Sequence, residues 1–309
     1  MPDKKNVERV KKLIEKRKLA QKKKGVEGKK DLIQKILSDI DDIPPFSQIA
    51  TKALKLINNP KSSAVDIGRV ISYDQALTAK VLRMANSAYY GFPKEVTTVG
   101  EAIVILGYDT LKSIVLALSM RKFYDHPVKG YGLQKGELWR HSVACALTAK
   151  FIGNHVNYSN PEEPFVAGLL HDVGKLILSE YVKDEYEKIM NMVTLRNVTF
   201  LDAEKAILGF DHQEMGVRVS EKWNFPDKII EAIGFHHQPT GAEIDPLLTS
   251  IVHIADFICL SLGIGIGADG MLYALEGKAL EIAGISSTEI DGLISESLEV
   301  TIEIDSILS

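Results

Sequence analysis

The 309-residue chain is 45% hydrophobic and 25% charged with a formal net charge of −4, a composition that excludes disordered and fibrous classes and predicts a soluble globular protein with a sizeable core. The charge is uneven: residues 1–30 hold 13 Lys/Arg against 4 Asp/Glu, a net of +9, which leaves −13 on the rest. Two cysteines make no disulfide framework and point to a reducing cytoplasm.

The opening MPDKKNVERVKK lacks the apolar stretch of a signal peptide. Residues 7–24 predict a lysine-rich helix with a thin apolar line, Val7, Val10 and Ile14, within a basic tail spanning 1–30. Such a run attracts acidic surfaces in general, but no DNA- or RNA-reading motif accompanies it, so nucleic acid is not the expected partner. From Asp31 the apolar period is helical. Helices are expected over 31–40, ended by Asp41–Pro45, then over 46–58, 64–71 and 74–86, and on either side of Gly107 over 98–106 and 109–124. These make an N-terminal helical lobe, 31–125.

A glycine-bearing loop at 125–136 leads to a second lobe, 126–265, with helices at about 137–156, 162–171, 173–181, 183–195, 199–208, 211–222, 226–237 and 245–263. The most apolar window, 251–266, is short for a membrane span and contains His253 and Asp256, so a buried helix is expected and no span. An extension, 266–309, carries Ser286-Ser287-Thr288-Glu289, which resembles a capping box opening a last helix. The fold class predicted is all-α, a two-lobed helical bundle.

Seven residues of the second lobe form an ordered series: His141, His171-Asp172, His212, His236-His237 and Asp256. Histidine and carboxylate are the donors proteins offer to divalent transition metals, and a mixed nitrogen–oxygen set suits iron, manganese, zinc or nickel. Donors from five separate segments could converge inside a helical bundle, and Asp256 in an apolar helix needs a partner if buried. Cys145, four residues after His141, and Cys259, three after Asp256, could face the metal, but core packing is the expected role of such cysteines. His253, one turn before Asp256, could brace a ligand. His126 and His155 should be solvated. The Gly263-x-Gly265-x-Gly267 pattern follows a helix rather than a strand, which argues against a dinucleotide fingerprint.

The series H…HD…H…HH…D resembles the HD superfamily of metal-dependent phosphohydrolases, in the multi-metal form of the HD-GYP phosphodiesterases. The segments IPPFSQIATKALKLINNP, ISYDQALTAKVLRMANSAYYG, VGEAIVILGYDTLKSIVLALS, LWRHSVACALTA and AGLLHDVGKLIL are similar to the HDOD branch (HD-related output domain) of that superfamily. The resemblance implies an HD-domain-like second lobe and a centre of two divalent ions. His141, His171, Asp172 and Asp256 would hold the first. Asp172 would bridge to the second, held by His212, His236 and His237. Asp172 and Lys175 would be the catalytic pair, Lys175 facing a substrate phosphate. After His237 the chain reads QPTGAEIDP, so the Gly-Tyr-Pro signature of cyclic-di-GMP phosphodiesterases is absent.

Two readings stay open. In one, the protein hydrolyses a phosphomonoester or phosphodiester, with a phosphorylated small molecule or nucleotide as substrate. In the other, it is a non-catalytic, metal-binding output module that engages a signalling partner through the N-terminal lobe. Asp74, Arg83, Asn86 and Tyr89 could line a partner groove there, though caps and packing contacts are their expected role.

Overall fold

Short polar residues set the helix boundaries. Ser63 caps α2 (Ala64–Ile71) in a reciprocal box with Asp66, each side chain bonding the other's backbone N–H at 3.1–3.2 Å. Asp74 caps α3 (Gln75–Ala85) by accepting from the Leu77 N–H at 3.0 Å. The computed structural model describes residues 48–302 apart from 58, 60, 88–89, 93, 125–126, 129–130, 182–184 and 268–271. The chain divides into units Met1–Ile43 and Pro44–Ser309, and every described residue falls in the second. The expected basic tail, the helix at 31–40, the turn at 41–45, Tyr89 and His126 lie outside the described residues.

Among the described residues the fold is all helical, with one isolated antiparallel bridge between Val128 and Leu133. Helix α1 (Gln48–Ile57) and α2 and α3 pack on α4 (Val99–Tyr124). Ala53, Ile67, Val81, Leu111 and Val115 are fully buried in the core they share. As expected, two helices meet within α4 at a kink, where Gly107 takes the non-helical φ 82, ψ 169. The segment Val99–Arg121 is long and apolar enough to cross a membrane by length and composition; here Leu111, Ile114 and Val115 of that stretch fill the lobe's core. Asp74 and Asn86 serve as caps and braces: Asn86 holds Val96 through both its N–H (2.7 Å) and its carbonyl (2.8 Å).

The second lobe is built on α5 (Glu137–His155), α6 (Glu162–Leu170) and α7 (Val173–Tyr181). It continues with α8 (Tyr186–Arg196), α9 (Phe200–Ile207), α10 (His212–Lys222), α11 (Asp227–Phe235) and, after a 3₁₀ turn at Pro239–Gly241, α12 (Pro246–Ser261). Asp211 caps α10 at 2.8 Å, and Asp245 caps α12 at 2.9 Å with Pro246 in the first turn. Helix α5 lies between α6 and α12. A short helix not expected from the sequence, α13 (Gly277–Ala283), packs on α12. The turn Ser286–Glu289 makes one half of the expected box, the Ser286 N–H donating to Glu289 Oε2 at 2.8 Å while the Glu289 N–H bonds the Ser286 carbonyl at 3.0 Å, and leads into α14 (Ile290–Ile302).

The lobes join through α4 and α6. Thr110 Oγ1 donates to Glu162 Oε1 at 3.0 Å, and the buried Lys150 ammonium pairs with the same oxygen. Tyr124 Oη donates to the Leu169 carbonyl at 3.3 Å, just ahead of the His171-Asp172 turn.

Candidate metal centre

Each of the seven residues reaches the site from a well-fixed position. His141 lies in the second turn of α5, His171-Asp172 in the turn between α6 and α7, His212 at the first position of α10, His236-His237 directly after α11, and Asp256 in α12. Helix α7 approaches α10 so closely that a Cβ on Gly174 would sit 1.9 Å from the His212 carbonyl oxygen; only glycine permits the approach. His171, His212 and His236 are 0% exposed, Asp172 1%, His141 2% and Asp256 4%.

The structure brings all seven together. His141 Nε2 stands 3.3 Å from His171 Nε2 and 3.1 Å from Asp256 Oδ1. Asp172 Oδ2 lies 3.4 Å from His171 Nε2, while its Oδ1 lies 3.8 and 3.7 Å from the Nε2 atoms of His212 and His236. His237 Nδ1 is 3.7 Å from Asp256 Oδ2. Three overlapping groups have donor atoms all within 4.8 Å of one another: His141, Cys145, His171 and Asp256; His171, Asp172 and His236; His212, His236 and His237.

Hydrogen bonds at the far side of each ring aim the near nitrogen inward. The Nδ1–H groups of His141, His171 and His236 donate to the carbonyls of Ile264 (2.9 Å), Gly168 (2.7 Å) and Ile233 (2.8 Å). His212 Nδ1 and its backbone N–H both donate to Glu204 Oε2 at 2.8 Å, and Tyr131 Oη donates to the other oxygen of Glu204. His237 stacks on Tyr273 with ring centres 3.9 Å apart. His253 Nδ1 donates to the His236 carbonyl at 2.7 Å, the bracing role considered for it.

Four buried polar atoms are left without a hydrogen-bond partner at this point: Asp172 Oδ1 and the Nε2 atoms of His212, His236 and His237. Buried acceptors of this kind are costly unless a cation or donor meets them. The donor set therefore fits a divalent transition metal.

The electrostatics divide the site. Burial would raise the Asp172 carboxyl, but Lys175, His171 and His212 outweigh it and hold it well below the usual range. Burial likewise opposes ionisation of Asp256, and His141 and His171 override it and lower the group. Burial would lower His141, yet Asp256 and Asp172 carry it up to about 9. Burial and neighbouring imidazoles push His236 and His237 well below their ordinary value. Burial pushes the Cys145 thiol well above its usual value.

Lys175 pairs with a site carboxylate and borders a cleft. Its Nζ donates to Asp172 Oδ2 at 2.7 Å and lies 5.7 Å from the Tyr131 ring centre, at the edge of a tight cleft of about 10 Å³ lined by Tyr131, Phe200, Tyr273, His237 and Asp256. It neutralises the carboxylate while facing the cleft. Sequence reasoning missed Glu204, Tyr131 and Tyr273. Glu204 had one usable signal: it is an acid on the buried face of α9, beside Phe200, Leu201 and Ala203. The Gly263–Gly267 stretch, set aside as a poor nucleotide motif, supplies the Ile264 carbonyl that orients His141; Gly265 takes φ +72, and a Cβ there would stand 2.4 Å from the His141 Cβ.

Comparison with known proteins agrees with the fold. A Geobacter sulfurreducens HDOD domain protein of unknown function superposes with a TM-score of 0.73 at 24% identity, covering 91% of this chain and 99% of that one. A Shewanella amazonensis protein assigned as a phosphohydrolase superposes at 0.69 with 25% identity, covering 89% and 98%. Ribonuclease Y of Mycoplasmoides gallisepticum is 27% identical over 231 residues, 66% of this chain and 36% of that protein. An uncharacterized Treponema pallidum protein is 24% identical over 226 residues, 71% of this chain and 43% of that one. The chain thus spans less than half the length of these two curated relatives. The HDOD domain matches residues 43–239, and the chain belongs to the HDOD domain family.

Proposed function

We propose that this protein is a metal-dependent phosphohydrolase acting on a phosphomonoester or phosphodiester, with a centre of two divalent transition ions. The observation that carries the reading is the set of buried, partnerless atoms at the site: Asp172 Oδ1, 3.8 and 3.7 Å from the Nε2 atoms of His212 and His236, with His237 Nε2 as the fourth. His141, His171, Asp172 and Asp256 would hold one ion, and His212, His236 and His237 the other, with Asp172 shared. Bound there, the ions would activate water and polarise phosphate oxygens.

The chain's own groups do the rest. Asp172 presents one oxygen to each half of the site, at 3.4 Å from His171 Nε2 and 3.7 Å from His236 Nε2. Lys175 would shift from Asp172 to a phosphate oxygen as a point charge. Tyr131, Phe200 and Tyr273 wall the cleft and limit water around the reacting group. The Shewanella relative is assigned as a phosphohydrolase and the Mycoplasmoides relative is named a ribonuclease, both phosphoester chemistries. The absent Gly-Tyr-Pro speaks against cyclic-di-GMP as substrate. Free, buried Cys145 and Cys259 support a reducing, cytoplasmic setting.

The output-module reading has its own support. The N-terminal lobe has a separate core, gives no donor to the site among its described residues, and leaves Tyr73 72% and Val104 78% exposed as contacts for a signalling partner. One assay separates the two. Protein loaded with manganese, iron, zinc or nickel is tested on p-nitrophenyl phosphate and its bis ester beside Asp172→Asn. Hydrolysis that falls more than about 100-fold in the variant supports the enzyme, since even outer partners of a metal ligand cost 10- to 100-fold. Bound metal without turnover on either ester, identical in the variant, overturns the enzyme and favours the module.

A further inference from the structure

We infer that Cys145 is a metal ligand, and that His141, Cys145, His171 and Asp256 form a four-donor site for a thiophilic ion such as zinc. The inference rests on the metal-centre reading above and adds to it a thiolate that the His/Asp series does not contain.

Helix periodicity supplies the placement. Cys145 lies one turn after His141 on α5, on the same face, and is 0% exposed. Its Sγ stands 3.6 Å from His141 Nε2 and 4.0 Å from Asp256 Oδ1, and all four donor atoms lie within 4.8 Å of one another. The imidazoles on either side of it are already committed: His141 and His171 each spend Nδ1–H on a carbonyl, at 2.9 and 2.7 Å. Once neutral, both rings therefore point an Nε2 lone pair into the same pocket. In the metal-free protein the His141 Nε2 proton holds these two nitrogens, 3.3 Å apart, and the Asp256 oxygen at 3.1 Å together, and a cation takes that proton's place among them. A second signal lies next door, where the fully buried His236 Nε2, within 4.8 Å of the His171 and Asp172 donors, has no partner.

Two of the separations also match one coordination geometry. Bond lengths of about 2.05 Å to nitrogen and about 2.3 Å to sulfur, arranged tetrahedrally, put two nitrogens about 3.3 Å apart and nitrogen and sulfur about 3.6 Å apart. Right-angled, octahedral neighbours would stand closer, at about 2.9 and about 3.1 Å. The observed 3.3 Å between His141 and His171 and 3.6 Å between Cys145 and His141 are the tetrahedral pair. The Asp256 oxygen is less regular, at 3.1 and 3.7 Å from the two imidazoles. With these four donors on the first ion, Asp172 goes to the second alone, in place of the shared role proposed above: its Oδ1 lies 3.8 and 3.7 Å from the Nε2 atoms of His212 and His236, and its Oδ2 pairs with Lys175. A thiolate in the set selects zinc, ferrous iron or cobalt over manganese and magnesium. A cation at this position also opposes the effect that burial, Cys259 and Asp256 have on the thiol, so that coordination deprotonates it.

The probe is cobalt(II), titrated into chelator-treated full-length protein and followed in the near-ultraviolet, where thiolate-to-cobalt charge transfer absorbs. Only two cysteines exist in the chain, and Cys259 Sγ lies behind Cys145, hydrogen-bonded to its thiol and 3.7 Å from Thr148 Oγ1. The wild type and Cys259→Ser should show the band. Cys145→Ser should lose it and bind zinc more than about 100-fold more weakly, beyond the cost of losing an outer partner. Cobalt binding to the wild type with no charge-transfer band overturns the ligand assignment and leaves the metal-centre reading standing. A band that survives in Cys145→Ser and vanishes in Cys259→Ser also overturns it. No cobalt or zinc binding to the wild type removes both readings. The wild-type spectrum decides even if Cys145→Ser fails to fold.

Discussion

Replacing Gly265 by alanine tests the least expected support of the site. The residue sits at φ +72, and an added Cβ would meet the His141 Cβ at 2.4 Å and Cγ at 2.7 Å. Left-handed backbone costs an alanine about 1–2 kcal/mol, and forcing the helix-borne ring aside adds about 1–3 kcal/mol of overpacking. Together they predict a loss of about 2–5 kcal/mol in urea unfolding of the metal-free protein. The displaced ring also loses its aim from the Ile264 carbonyl, so zinc affinity, measured by competition with a chromophoric chelator, should fall about 10- to 100-fold. Gly263 is the internal control. It has φ +78 but nothing within 4 Å of the added carbon, so its alanine variant should lose only the backbone strain, about 1–2 kcal/mol, and keep its affinity. If the two variants agree within about 0.5 kcal/mol and bind zinc equally, the claim that this turn positions His141 is wrong.

Glu204→Gln leaves one of its three donors, two from His212 and one from Tyr131, facing an amide N–H instead of an acceptor. It should cost about 1–3 kcal/mol in chemical unfolding and weaken zinc binding about 10- to 100-fold; unchanged binding would separate Glu204 from the metal centre. His141, raised to about 9, keeps its proton at neutral pH in the metal-free protein. That proton's contribution to stability is complete below about pH 6.5, the unfolded value, and fades as pH rises through about 9. A metal must displace it, so affinity should climb at least about tenfold per pH unit up to about pH 9. Isothermal titration at three pH values checks this, and a flat profile would refute it. His236 and His237 act on the other side: held neutral by burial and neighbouring imidazoles, they destabilise the metal-free fold as pH falls below about 6.5, where the unfolded chain takes up protons they refuse.

Local signals made most of the helices readable. Ser63, Asp74, Asp211 and Asp245 announce their helices by sequence alone because a cap bonds within three residues of itself. Helix α13 escaped notice because Gly277–Ala283 is too short to show a period, and its burial comes from packing on α12. The seven donors were readable as residue types in order, since imidazole and carboxylate are rare inside apolar helices. Their supports were not. The bond from His141 to Ile264 spans 123 residues and that from Tyr131 to Glu204 spans 73, and no local pattern encodes such meetings. Cys145 is fully buried, as core packing requires, and the sequence cannot separate that role from metal contact, because a buried thiol looks alike in both until its neighbours are placed. The pairing of Lys175 with Asp172 in the same turn likewise shows only once both side chains are placed.

The stretch that marks the family ends at residue 239, while Asp256 and the Ile264–Gly265 turn come after it. Kinship and ion-holding power are therefore written in different parts of the polypeptide. A protein ended at residue 239 would keep every hallmark of its lineage and still lack an acid arm, the carbonyl that steers His141 and the His253 brace behind His236. Relatives are better sorted by whether an acid stands on the helix that follows the paired histidines than by the shared stretch itself.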